Sequence, residues 1–198
     1  TEVAKAFYAP MGPLTEKMGI GLEAQGNWST NPPNHPNGSH VCELEVDPET
    51  GEVRVDRYFV VDDLGRVLNP MIVRGQIHGG VAQGVGQALV EHAIYDKDSA
   101  QMLSATFMDY GMPRADLFPE IETHLEEVRS KTNPLGVKGI GESGTIGAPP
   151  TVINAILDAL TPLGVDQIDM PATPARVWEA MNKARASGKG GSLAWARA

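Results

Sequence analysis

The chain has 198 residues, 41% hydrophobic and 21% charged, with a formal charge of −9 from 16 basic and 25 acidic residues. That composition fits one large or two small globular domains and excludes a wholly disordered chain. The acidic balance and the lack of any basic run argue against nucleic acid and membranes as partners, and no stretch of 18 apolar residues is present.

Residues 1–37 carry Pro10, Gly12, Pro13, Gly19, Gly21 and the run Asn31-Pro32-Pro33-Asn34-His35-Pro36-Asn37. They predict an extended, loop-rich arm. The chain starts at Thr1, which fits a processed product or a piece of a longer chain. From His40 the pattern alternates, with Cys42, Leu44 and Val46 opposed to Glu43 and Glu45, as in a half-buried strand. Asp47-Pro48-Glu49-Thr50-Gly51 supplies a turn, and Glu52–Val61 predicts the returning strand of a hairpin.

Asn69-Pro70 marks the start of a helix over about 73–92, unusual for Gly75, Gly79, Gly80, Gly84 and Gly86. Each glycine costs about 1 kcal/mol relative to alanine inside a helix, so five imply close packing or a ligand near the backbone. Strands are predicted at 102–110 and 121–128, a glycine-rich loop at 130–151, and a helix at 152–160. A short strand at 166–169 and a last helix opened by Thr173 and Pro174 follow. Residues 38–186 thus read as one α+β region, a hairpin-rich mixed sheet covered by two or three helices, and 187–198 as a flexible tail.

Two segments could carry chemistry. In 133–150, Gly136, Gly139, Gly141, Gly144 and Gly147 surround one carboxylate, Glu142, just before a helix. Such a setting lets a ligand reach the main chain and suits a general base; a solvated glycine turn reads equally well from the residues alone. It is no phosphate-cradling loop, for Gly-Lys-Ser/Thr never follows the required spacing. Gly139–Gly144 spells G-x-G-x-x-G but lacks a preceding strand and βαβ context. In 75–89, Gln83 and Gln87 share a helix face beside the glycines, either as amide donors to a ligand or simply exposed on a tightly packed helix. His78 and Cys42 read as structural residues. The lone Cys42 and scattered histidines give no protein metal ligand set.

Together, GSHVCE with DPETGEV, VVDDLGRVLNP, GQIHGGVAQGVGQAL, FMDYGMPRA, NPLGVKGIGESGTIGAPP and IDMPATPARVW resemble the C-terminal part of a molybdopterin-binding large subunit. The family is that of xanthine dehydrogenase, aldehyde oxidoreductase and aerobic carbon monoxide dehydrogenase. The matches run from residue 38 to about 178, and Leu64 departs from the aromatic or cysteine often found in one branch. The resemblance implies a larger molybdenum-cofactor domain in which no protein atom binds the metal. Glu142 would be the general base that takes a proton from the metal-activated hydroxide. Gln83, Gly80, Gly84, Lys138, Gly141, Ser143, Gly144 and Thr145 would contact molybdenum-molybdopterin, in its simple or cytosine-dinucleotide form. It further implies a small substrate (N-heterocycle, aldehyde or carbon monoxide) and iron–sulfur and flavin partners, while the lack of a basic-then-apolar signal pattern predicts a cytoplasmic location. Without the rest of the large subunit the chain is expected to be inactive, with apolar surface open to self-association. The competing expectation is a non-catalytic or degenerate module of the same fold.

Overall fold

A computed structural model describes residues 2–8, 21–29 and 33–188. The chain divides into two compact units, Thr1–Pro32 and Pro33–Ala198. In the first, Glu2–Tyr8 forms helix α1, where an extended arm was expected. The breakers begin only at Pro10, and EVAKAFY itself holds two alanines, an acidic N-terminal residue and Lys5 in its last turn, all compatible with a helix.

The second unit is built on the predicted hairpin. β1 (Asn37–Val46) pairs antiparallel with β2 (Val53–Asp63). The turn is held by the Asp47 carboxylate, which accepts from Glu49 N at 2.7 Å and Thr50 N at 3.2 Å. It ends at Gly51, with φ of 77°, where a side chain would run into Pro174 and Trp178. β3 (Ile121–Glu126) adds parallel to β2, giving the mixed sheet β1-β2-β3. The predicted α+β class is therefore observed, with the sheet accompanied by helices.

α2 (Pro70–Leu89) starts where Asn69-Pro70 predicts, because the Asn69 side chain accepts from Met71 N and Ile72 N. α3 (Ser143–Leu160) lies against both α2 and β1, and α4 (Pro174–Ala186) closes the unit. Thr173 precedes α4 but makes no side-chain cap bond. The core joins Leu44, Tyr58 and Val60 of the sheet to Ile77, Val81 and Val85 of α2, Val152, Ile156 and Leu160 of α3, and Val177 and Met181 of α4. Among the described residues no helix is long and apolar enough to cross a membrane.

Three further expectations fail. Residues 143–151 are helix, not loop: Pro149 and Pro150 remove two backbone donors, yet Pro149 packs against Gly84, and the interhelical contact outweighs the loss. No strand forms at 102–110 beyond the isolated bridge Tyr95↔Met102. There, local bonds such as Thr106 Oγ1 to Asp109 Oδ2 at 2.9 Å close turns instead of a ladder. Residues 166–169 are likewise not a strand, having no ladder partner among the described residues. Of the tail, residues 189–198 lie outside those described.

Candidate functional site

The two glycine-bearing segments meet because α2 and α3 approach at backbone distance. A Cβ on Gly80 would sit 2.9 Å from Thr145 N, and one on Gly144 would sit 2.6 Å from Ile77 O. Gly84 faces Ala148 in the same seam. These glycines are therefore explained by the close crossing of the two helices.

The opposite situation holds at Gly75, Gly79, Gly139 and Gly141, where an added Cβ would meet nothing within 4 Å. Packing among the described residues gives no reason for glycine there. In α2, Gly79 lies on an exposed stripe with Gln76, Gln83 and Gln87. Gln76 Nε2 donates to Gly141 O at 2.9 Å, clasping the turn that carries Glu142. Thr145 Oγ1 lies 3.1 Å from Gly80 O and 3.4 Å from Gln83 Oε1. Thus Gln83 is joined to the start of α3 three residues beyond Glu142, and the exposed glutamines and the open glycines border one face.

Glu142 is exposed and stands at the N-cap of α3. Its carbonyl accepts from Ile146 N at 2.9 Å, but its carboxylate makes no capping bond. That leaves the carboxylate outside the helix's own hydrogen bonding, beside the N–H groups of the first turn. Ser143 Oγ donates to Ile140 O at 3.3 Å, tightening the same turn.

The Lys138 ammonium pairs with Asp63, and the two side chains are only 11% and 14% exposed. Asp63 also accepts from Gly65 N at 2.9 Å and Val128 N at 3.0 Å, so it ties the end of β2 to the glycine-rich loop. Burial pushes the Asp63 carboxyl up, but the bonds from Lys138 and the two amides outweigh it and hold the group below its usual range. A depressed folded-state value stabilises above the unfolded value of about 3.9 and is lost as pH falls through the folded value. Lys138→Met is accordingly expected to cost about 1–3 kcal/mol near neutral pH, with the difference from the parent shrinking in acid. Urea unfolding curves at neutral and acid pH check both parts.

Sequence reading missed Gln76 and Asp63. Gln76 precedes Gln83 by seven residues, two helical turns, which places it on the same face; that spacing was the available signal. For Asp63 the tie was not readable, since Val128 and Lys138 lie 65 and 75 residues away.

A model of the molybdopterin cofactor-binding domain matches residues 1–119. The chain is 42% identical over 176 residues to the nicotine 6-hydroxylase large subunit of Paenarthrobacter nicotinovorans, covering 89% of this chain and 21% of that one. It is 39% identical to the carbon monoxide dehydrogenase large chain of Hydrogenophaga pseudoflava, covering 82% and 20% respectively. Among solved structures, quinoline 2-oxidoreductase from Pseudomonas putida 86 superposes with a TM-score of 0.72 at 42% identity, over 75% of this chain and 19% of that one. The chain thus spans about a fifth of the length of the curated relatives it matches.

Proposed function

The chain belongs to the molybdopterin cofactor-binding family of molybdenum hydroxylase large subunits, and from that premise we propose that it supplies the general base and one wall of the cofactor site of an oxidoreductase. The observation that carries this reading is the exposed face bordered by Gly79, Gly139 and Gly141, whose missing side chains no described residue requires. A large planar cofactor approaching the backbone fits such a face, and the residues present fit the group.

In this reading Gln83 donates its amide N–H groups to the bound cofactor, its Oε1 being turned towards Thr145. The main chain of Gly141, Ser143 and Thr145 and the flank of Lys138 border the cofactor. Gly80, Gly84 and Gly144 act by setting the spacing of the two helices. The molybdenum centre, when bound, supplies an oxygen for transfer to carbon and accepts two electrons. Glu142, on the turn held by the Gln76 clasp on Gly141, would serve as the proton acceptor beside the bound group. The substrate is a small molecule, an N-heterocycle, an aldehyde or carbon monoxide.

Iron–sulfur and flavin partners would carry the electrons onward. Cys42 is no cluster ligand in this scheme: burial, with the neighbouring Glu43 charge, pushes its thiol up to about 12, and one thiol cannot hold a cluster. The remainder of the large subunit completes the site, and the exposed Phe107 and Met108 face it or a second copy.

Gly79→Leu tests this reading. Leucine has open space and is the better helix former by about 0.8 kcal/mol, so the chain's own thermal stability is expected to hold or rise. In the complete large subunit the same change is expected to lower the molybdenum-to-protein ratio severalfold. Full molybdenum content in that variant overturns the assignment of this face.

A further inference from the structure

Beneath the first turns of α3 lies a row of buried polar side chains that the proposed reaction does not use. On the sheet face towards α3, Asp62, Val60 and Tyr58 of β2 lie opposite Gly38, His40 and Cys42 of β1. Asp62 is 1% exposed, and neither of its carboxylate oxygens has a hydrogen-bond partner among the described residues. His40 Nε2 is 3.9 Å from Asp62 Oδ1, and His40 Nδ1 is 2.9 Å from Tyr58 Oη.

Helix α3 fits this row residue by residue. Ser143 faces Asp62, Gly147 faces His40 and Thr151 faces Tyr58, a spacing of four that follows one side of the helix. A Cβ on Gly147 would lie 2.6 Å from the His40 ring, and one on Gly38 would collide with Asp62 Oδ1. Both strand and helix therefore leave space for these two side chains. An unpaired buried carboxylate is unfavourable when charged, and a residue kept in that position calls for a reason.

We propose that Asp62 is a positioning residue for Glu142. In the arrangement seen, the Ser143 hydroxyl donates to Ile140 O while lying close enough to Asp62 to favour its charged form. On ionisation, with its proton released to solvent, the carboxylate draws in the Ser143 hydroxyl and the free N–H groups of the first turn of α3. The adjoining residue is Glu142, so the turn that carries it moves with the protonation of Asp62. The functional meaning rests on Glu142 being the base; the movement itself does not.

Among the described residues, the titratable groups facing Asp62 are His40 from β1 and, beyond it, Tyr58 from β2, while α3 presents Ser143, Gly147 and Thr151. Asp63 and Lys138 pair with each other on the other side of the strand. Burial pushes the Asp62 carboxyl up, against smaller opposing effects of Ser143 and His40. Burial likewise pushes the His40 imidazole down, against the Asp62 charge.

The test is a pH titration of the backbone amide resonances of the 198-residue chain, without cofactor. It is made in a Glu142→Gln background, so that Glu142 itself does not titrate. The amides of Gly141, Ser143 and Gly144 are expected to shift together, with a midpoint above the ordinary aspartate range, and Asp62→Asn is expected to abolish the shift. Amides that stay fixed, or a titration that survives Asp62→Asn, overturn the proposal. Should Asp62→Asn not fold, Ser143→Ala keeps the acid but removes the hydroxyl that couples it: a smaller shift at Gly141 and Gly144 supports the proposal, and an unchanged one overturns it. Because the chain is free of cofactor, failure here is separate from failure of cofactor binding in the complete subunit.

Discussion

Glutamine at position 142 of the complete, cofactor-loaded large subunit is expected to lower turnover about 10²–10⁴-fold, with molybdenum content unchanged. The size follows from removing a general base while keeping its shape and its helix position. Glu142 makes no side-chain capping bond, so glutamine leaves α3 without a lost hydrogen bond. The remaining structural effect is the weaker attraction of a neutral group to the helix N-terminus, about 0.3–1 kcal/mol, far below what the loss of turnover requires. Steady-state kinetics alongside metal analysis separate the two effects. Equal losses of turnover and molybdenum would make Glu142 a cofactor-holding residue instead of a base.

Alanine at Gly144 is expected to destabilise the chain by about 1–3 kcal/mol. The added methyl meets backbone on two sides, Ile77 O at 2.6 Å and Val81 N at 2.9 Å. Neither atom can turn away as a flexible side chain could, so α2 and α3 must separate. Separation also draws Thr145 from Gly80 O and Gln83, so lost stability and lost cofactor retention should appear together. Gly79→Leu, on the open side of the same helix, supplies the contrast, since it is expected to lose cofactor without losing stability. Denaturant unfolding of both variants checks the pair.

The hairpin was legible because its information is local: alternation from Cys42 to Val46, a turn-forming Asp47 and a glycine where φ is positive. The start of α2 was legible for the same reason, in Asn69 and Pro70. The start of α3 was not, because Pro149 and Pro150 read locally as a break and only the contact of Pro149 with Gly84, 65 residues earlier, shows why helix persists. A strand at 102–110 was read from apolar residues alone, whereas Leu103, Phe107 and Met108 are exposed and the turn bonds of Thr106 and Asp109 decide the conformation.

The site divides along the same line. Glu142 and Gln83 stand out through their glycine surroundings, and the resemblance gave them roles. Sequence could not sort the glycines into those that let α2 and α3 touch and those that open onto empty space, because the distinction is made by the partner helix. The Asp63–Lys138 tie and the buried Asp62, His40 and Tyr58 row depend on partners distant in the chain or across the hairpin, and nothing in their spacing announces them.

The most direct measurement of the central claim is molybdenum and pterin analysis of this chain purified alone and purified together with the remainder of its large subunit. The chain alone is expected to carry no cofactor, and the reconstituted subunit to carry it stoichiometrically. Absence of molybdenum and pterin from both preparations would contradict the claim, leaving the family fold without the cofactor site.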